Sequence, residues 1–236
     1  MRSFIVMAMF VASFANAAWD EYTEVRELKL DVDGLESLVI EAGAGSMDVR
    51  GVAGLDSIVV NATVVVADAG EKEAIRFIEK KMRLSLDRIG DHAKLDSWFE
   101  QGFFGRGSNA RIELDISVPT GIDINVDDGS GSIDISDISA AVSIDDGSGS
   151  IELKNITDIQ IDDGSGSIDI ANASGDVSIV DGSGSITVRS VGGSVTIDDG
   201  SGGIDVSDVE QDLIIVDDGS GGFSFSNVRG RVEQDS

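Results

Sequence analysis

The chain has no cysteine, one proline and one histidine in 236 residues, and aromatic residues make up only 5% of it. Without cysteine there are no disulfide staples, no thiolate metal sites, no cysteine nucleophile and no lipid-modified cysteine anchor. An exported fold of this composition is held by its core or by bound ions. The single histidine, His92, sits in the polar turn Gly90-Asp91-His92, and no serine has an identifiable base partner. Cations are scarce too. Lys and Arg number 17 against 44 Asp and Glu, a net charge of −27. That balance disfavours nucleic acid and anionic lipid headgroups and favours cations, basic surfaces or neutral sugars as partners. Disorder is excluded, because 41% of the residues are apolar and they alternate strictly.

The chain opens with Arg2, an apolar run from Phe4 to Phe14, and Ala15-Asn16-Ala17. This order predicts a secretory signal peptide over 1–17 and a mature chain from about Ala18. The run is short for a transmembrane helix, and a retained membrane anchor is the alternative. No later stretch could span a bilayer, so the expected location is periplasm, cell surface or medium.

What the chain has in abundance is one phrase. The first glycine of DDGSGSIDI and its variants falls at Gly129, Gly147, Gly164, Gly182, Gly200 and Gly219, with spacings of 18, 17, 18, 18 and 19. Four, six and nine steps on, each copy carries an apolar residue, as in Ile133, Ile135 and Ile138. Three steps before each glycine stand Val126, Ile144, Ile161, Ile179, Ile197 and Val216. Alternation rich in Ile and Val predicts short half-buried strands, such as Ser132–Ile135 and Val142–Ile144. Eight steps after the glycine stand Asp137, Asn155, Asn172, Ser190, Asp208 and Asn227, types that hydrogen-bond their own backbone in turns. Hairpins in a sandwich would make the constant period accidental. A parallel β-solenoid explains it, with one repeat per coil and like residues stacked about 4.8 Å apart.

The expected fold is therefore all-β, a right-handed parallel β-solenoid of about 18-residue coils. The regular array is placed at 121–236. Residues 18–120 form a solenoid and capping region continuous with it. A faint early copy, Gly43-Ala44-Gly45-Ser46-Met47-Asp48-Val49, starts the solenoid near residue 24. Glu71 to about Lys81 has helical spacing, with acids early and lysines late, and predicts one short helix that covers an edge or end. Strands are expected near Met82–Arg88, Ala93–Trp98 and Arg111–Val118, and Pro119-Thr120-Gly121 turns into the array. Gln234 reads as part of a polar C-terminal cap.

The signal peptide, the G-x-G-S-Φ-D-Φ copy at 43–49, the I-x-V-P-T-G lead-in at 116–121 and the D-G-S-G-S-I-D-I coils (Φ is apolar) together resemble one bacterial family. It is the "putative adhesin" domain family of unknown function, exported right-handed β-solenoids. The resemblance covers roughly residues 24–232. It implies surface attachment and brings no catalytic motif.

The strongest chemical candidate is the aspartate before each glycine: Asp128, Asp146, Asp163, Asp181, Asp199 and Asp218. Carboxylates stacked about 5 Å apart repel by roughly 1 kcal/mol in water and by several at an effective dielectric near 20. Ca²⁺ could offset this repulsion. Alternatively each Asp accepts turn N–H groups and stays solvated. The calcium repeat G-G-x-G-x-D does not match, since Ile133 stands where its aspartate belongs. No other cofactor is expected. A second column, Asp134, Glu152, Asp169, Thr187, Asp205 and Ser224, reads as an outward strand face. The loop around Phe103, Phe104 and Arg106 is either a contact tip or folds back on a core edge.

Three functions compete. The first is a non-catalytic envelope or adhesin-like protein presenting an acidic repetitive surface to a protein or glycan. The second is a solenoid whose rigidity depends on Ca²⁺. The third, an outsider, is a polysaccharide-active enzyme using clustered carboxylates.

Overall fold

The computed structural model describes residues 21–100 and 110–234. The expected signal peptide and the loop with Phe103, Phe104 and Arg106 lie outside the described residues.

Each repeat folds into one coil with two strands, one on each of two parallel faces. The first face takes the short strands β9 (Val142–Asp146), β11 (Ile159–Asp163), β13 (Val177–Asp181), β15 (Val195–Asp199), β17 (Leu213–Asp217) and β19 (Val232–Gln234). The second takes β10 (Gly149–Ile156), β12 (Gly166–Ala173), β14 (Gly184–Val191), β16 (Gly202–Val209) and β18 (Gly222–Val228). One long strand, β8 (Asp123–Ile138), bends from the first face to the second and forms a coil by itself. Pairing is parallel and stacks like on like: Ile151 lies between Ile133 and Ile168, and Ile161 between Ile144 and Ile179. The inward Ile, Leu and Val of both faces form one core. A coil alone would leave its ladder groups and apolar rows open, so stacking makes the fold.

Two turn features fix the coil. The eighth-step residues all adopt left-handed backbone, from Asn227 at φ +55 to Asp137 and Asn172 at φ +62. Their side chains also link coils, Asn155 Nδ2 donating to Asp137 Oδ1 at 2.7 Å and Asn172 Nδ2 to Asn155 Oδ1 at 3.0 Å. At the other corner the second glycine of the phrase is obligatory. At Gly166, with φ +156, an added Cβ would stand 1.4 Å from the Gly149 carbonyl oxygen.

The N-terminal region is interleaved. The early copy forms a full coil from β2 (Ser37–Ala44) and β3 (Met47–Val52), and both strands pair with β8. On their other side lie β6 (His92–Phe99) and β7 (Ala110–Pro119), which come later in the chain. From β7 the chain therefore passes over the β2–β3 coil to begin β8. Outside these, β4 (Ser57–Ala67) pairs antiparallel with β7, and β5 (Met82–Ile89) antiparallel with β6. The first strand, β1 (Glu21–Asp31), pairs antiparallel with β4, so the residues near 24 belong to the cap and the first parallel coil starts at Ser37.

The helix α1 (Glu71–Lys81) lies where its pattern predicts and carries the chain from β4 to β5, one face to the other. Ala74 and Ile78 are buried, and Phe77 stacks on Phe99 with ring centroids 5.3 Å apart.

The last coil departs from the pattern. A bulge between Ile197 and Asp198 pairs Ile197 with Ile215 and Asp198 with Asp217. Ile215 is therefore the inward residue, fully buried, while Val216, in phase by counting back from Gly219, is expelled and 43% exposed. The extra residue of the 19-residue spacing is absorbed here.

Candidate functional site: a buried aspartate column between two outer faces

The aspartates before the first glycine stack in register from Asp128 through Asp146, Asp163 and Asp181 to Asp199. They are not solvated. Exposure falls from 4% at Asp128 to 0% at Asp199. The cause is strand parity: Ile159, Ile161 and Asp163 are successive inward positions of β11. That signal was present in the sequence, since the aspartate continues the alternation of the preceding isoleucines. The turn chemistry holds as expected. The Oδ1 atoms of Asp146, Asp163, Asp181 and Asp199 accept the N–H of the serine two residues on, at 3.0–3.2 Å. Asp218, beyond the bulge, is only half-buried.

The second oxygen, Oδ2, is buried and unpartnered in all five. Desolvation therefore dominates their acidity. Burial, with the Asp146 charge second, pushes Asp128 up to about 7. Burial pushes Asp181 up to about 6 against the Ser183 N–H, which pulls the other way. Asp146, Asp163 and Asp199 are raised for the same first reason. Each coil offers one free oxygen to its interior. Among the described residues no three or more His, Asp or Glu side chains are arranged to hold an ion, whereas Ca²⁺ takes six to eight oxygens.

Both outer faces carry acids in register. On the second face Asp115, Asp48, Asp134, Glu152 and Asp169 follow one another on five consecutive coils. Desolvation, then the Glu152 and Asp48 charges, push the pKa of Asp134 up. Arg189 closes this run with a fork to Asp169, Nη2 standing 2.7 and 2.8 Å from the two carboxylate oxygens. Sequence reasoning placed Asp134, Glu152 and Asp169 on this face but missed Asp48 and Asp115, whose coils lie far off in the chain.

On the first face the stripe Asn125, Ser143, Gln160, Ser178 and Thr196 is uncharged, but two residues on, Asp96, Glu41, Asp127, Asp145 and Asp162 form a second acidic run. Ser143, Gln160, Ser178 and Thr196 line a shallow groove of about 420 Å³ with Asp158 and Asp176 at its rim.

Neither a family model nor a curated protein matches the chain. Solved structures do. One, a "putative lipid binding protein" from Parabacteroides distasonis, is 15% identical with a TM-score of 0.44, and the alignment covers 91% of this chain and 97% of that one. A "putative adhesin" from Parabacteroides merdae is 9% identical with a TM-score of 0.39, covering 90% and 96%. A "putative cell adhesion protein" from Clostridium sporogenes is 12% identical with a TM-score of 0.34, covering 90% and 100%.

His92 opens β6, its Nδ1 3.4 Å from Asp91 Oδ1, with no other hydrogen-bond partner among the described residues. No helix of the described residues is long and apolar enough to cross a membrane.

Proposed function

We propose that this chain is a non-catalytic interaction scaffold of the cell envelope, which holds out a rigid acidic face to a basic partner surface. The observation that carries this reading is the run of five carboxylates on consecutive coils of the second face. Neighbouring acids at that spacing repel. A partner carrying Lys or Arg relieves the repulsion and gains charge-assisted hydrogen bonds. Catalytic carboxylate pairs need unlike environments, and the buried column repeats one environment five times. A second reading rests on the shallow groove, whose Ser, Gln and Thr side chains suit a glycan. The unpartnered Oδ2 atoms support a third, rigidity set by Ca²⁺.

The deciding experiment is binding of the exported chain to a lysine-rich peptide and, separately, to neutral polysaccharides. The variant Asp134→Asn/Glu152→Gln/Asp169→Asn loses peptide binding by tenfold or more and keeps its circular dichroism spectrum, since charged hydrogen bonds are each worth about 1.5–3 kcal/mol. Undiminished peptide binding by that variant overturns the reading. Polysaccharide binding abolished by Gln160→Ala/Ser178→Ala moves the site to the groove, and release of sugar fragments makes the protein an enzyme.

A further inference from the structure

The shallow groove of the first face runs along the solenoid axis across four coils. One wall is the outward row from Ser143 to Thr196, and the other is the corner row Ala141, Asp158, Asp176 and Ser194. The two carboxylates of that corner are held in place. Asp158 Oδ1 accepts the Asp176 N–H at 3.0 Å, and Asp176 Oδ1 accepts the Ser194 N–H at 2.7 Å. Two glycines make room for them. An added Cβ would stand 2.0 Å from Asp158 Oδ1 at Gly175 and 2.2 Å from Asp176 Oδ1 at Gly193. Each acid thus ties one oxygen to the next coil and keeps Oδ2 free of hydrogen bonds from the described residues.

Among the described residues no cation pairs with either acid, whereas Asp212, two coils further along the same row, pairs with Arg231 at 3.1 Å. Asp158 and Asp176 are exposed on consecutive coils, about 4.8 Å apart, and the residues on either side of them in the row are uncharged. The lining holds no aromatic ring. A neutral sugar would therefore gain mainly neutral hydrogen bonds, which are worth little net against water. An ammonium group gains charge-assisted ones, roughly twice as strong.

We propose that the groove binds a linear amino-sugar polymer with free amines, laid along the solenoid axis, with its ammonium groups on Asp158 and Asp176 and its hydroxyls on Gln160, Ser178 and Thr196. This rests on the groove reading above and is independent of the acidic second face. Repetition favours a sugar chain over a peptide. A pyranose unit advances by about one coil spacing, whereas like-facing side chains of an extended peptide stand about 6.6 Å apart, out of step with coils at about 4.8 Å. Because the carboxylates are fixed before the ligand arrives, binding loses little side-chain freedom there.

The probes are a glucosamine hexamer and, as its neutral match, an N-acetylglucosamine hexamer, each titrated calorimetrically into the exported chain. The glucosamine hexamer binds at least tenfold more tightly, and added sodium chloride weakens it. Asp158→Asn/Asp176→Asn keeps the acceptors for the coil-to-coil N–H bonds and the circular dichroism spectrum, and it loses at least tenfold in affinity for that hexamer. Two control variants, Asp134→Asn/Glu152→Gln/Asp169→Asn on the second face and Asp145→Asn/Asp162→Asn beside the groove, bind it within about twofold of the parent at physiological salt, where the Debye length is about 8 Å. Loss of binding in either control, with Asp158→Asn/Asp176→Asn unaffected, makes the hexamer a ligand of the acidic runs and overturns the inference while the main reading stands. Equal affinity for the two hexamers leaves a groove without amine selection and overturns it too. Binding of neither overturns it together with the groove reading and leaves the acidic face untouched. A lysine-rich peptide that displaces the hexamer and depends more strongly on Asp158 and Asp176 assigns the groove to a peptide instead.

Discussion

Asp163 follows Ile159 and Ile161 on the inward side of β11 and is 2% exposed, with Asp146 and Asp181 stacked on either side and Asp162 next to it. Burial raises its pKa, and no cation among the causes of that shift offsets it. The native state therefore keeps protons on these carboxyls at pH values where the unfolded chain, with aspartates near 3.8, has lost them. Stability contributed in this way is full below that value and is lost as pH rises through the folded values, about 6 at Asp181 and about 7 at Asp128. Melting temperature should fall between about pH 4 and about pH 7. Asp146→Asn/Asp163→Asn/Asp181→Asn keeps the Oδ1 acceptor, removes the titration, flattens that dependence and raises the melting temperature at the alkaline end. Parallel melts in chelator and in Ca²⁺ complete the measurement: a rise specific to Ca²⁺ at the alkaline end, unmatched by Mg²⁺, would place an ion in the column instead of protons. Much of this scale was legible from the string. The eighth-step Asp, Asn and Ser residues are the left-handed turn positions. The burial of the aspartates was not seen because residue type argued for solvent while strand parity argued against it, and parity won.

At the scale of the element, the coil is the unit, and its neighbours set its stability. Deleting Gly164–Asp181 joins Asp163 to Gly182, restores the D-G-S-G phrase and removes one whole turn. The shortened chain should fold with the same circular dichroism shape and melt cooperatively a few degrees lower. Deleting Gly164–Asn172 removes an odd number of residues and half a coil. It turns inward isoleucines outward and should abolish cooperative melting. Periodicity reveals this unit but not the order in which units stack. The helix, the three strands after it and the early glycine copy all lie where their patterns put them. That β2–β3 slides between β7 and β8 is a non-local choice, made by pairing edges whose local sequence looks alike. The bulge at Val216 was hidden for a related reason. Counting back from the glycine assumes that the extra residue lies after the strand, and it lies within it.

At the scale of the whole molecule the net charge is −27, and the acids repeat with the coil. Self-repulsion at such spacing is screened by salt, with a Debye length of about 8 Å at physiological ionic strength. Melting temperature should rise with sodium chloride and level off once the Debye length is comparable to the coil spacing. A melt that ignores salt would mean that the outer acids are already neutralised, by protons or by bound cations.

The interleaved start has a mechanical consequence. The C-terminal turns are wound one after another and can be drawn off in sequence, each freeing about 60 Å of chain. The N-terminal turns cannot, because the β2–β3 coil is clamped between strands that follow it in the chain. Tension between the two termini should pay the protein out like thread from a spool, in equal sawtooth steps, until the clamped turns resist with a single larger force. A molecule tethered between two surfaces would in this way lengthen under load before it let go.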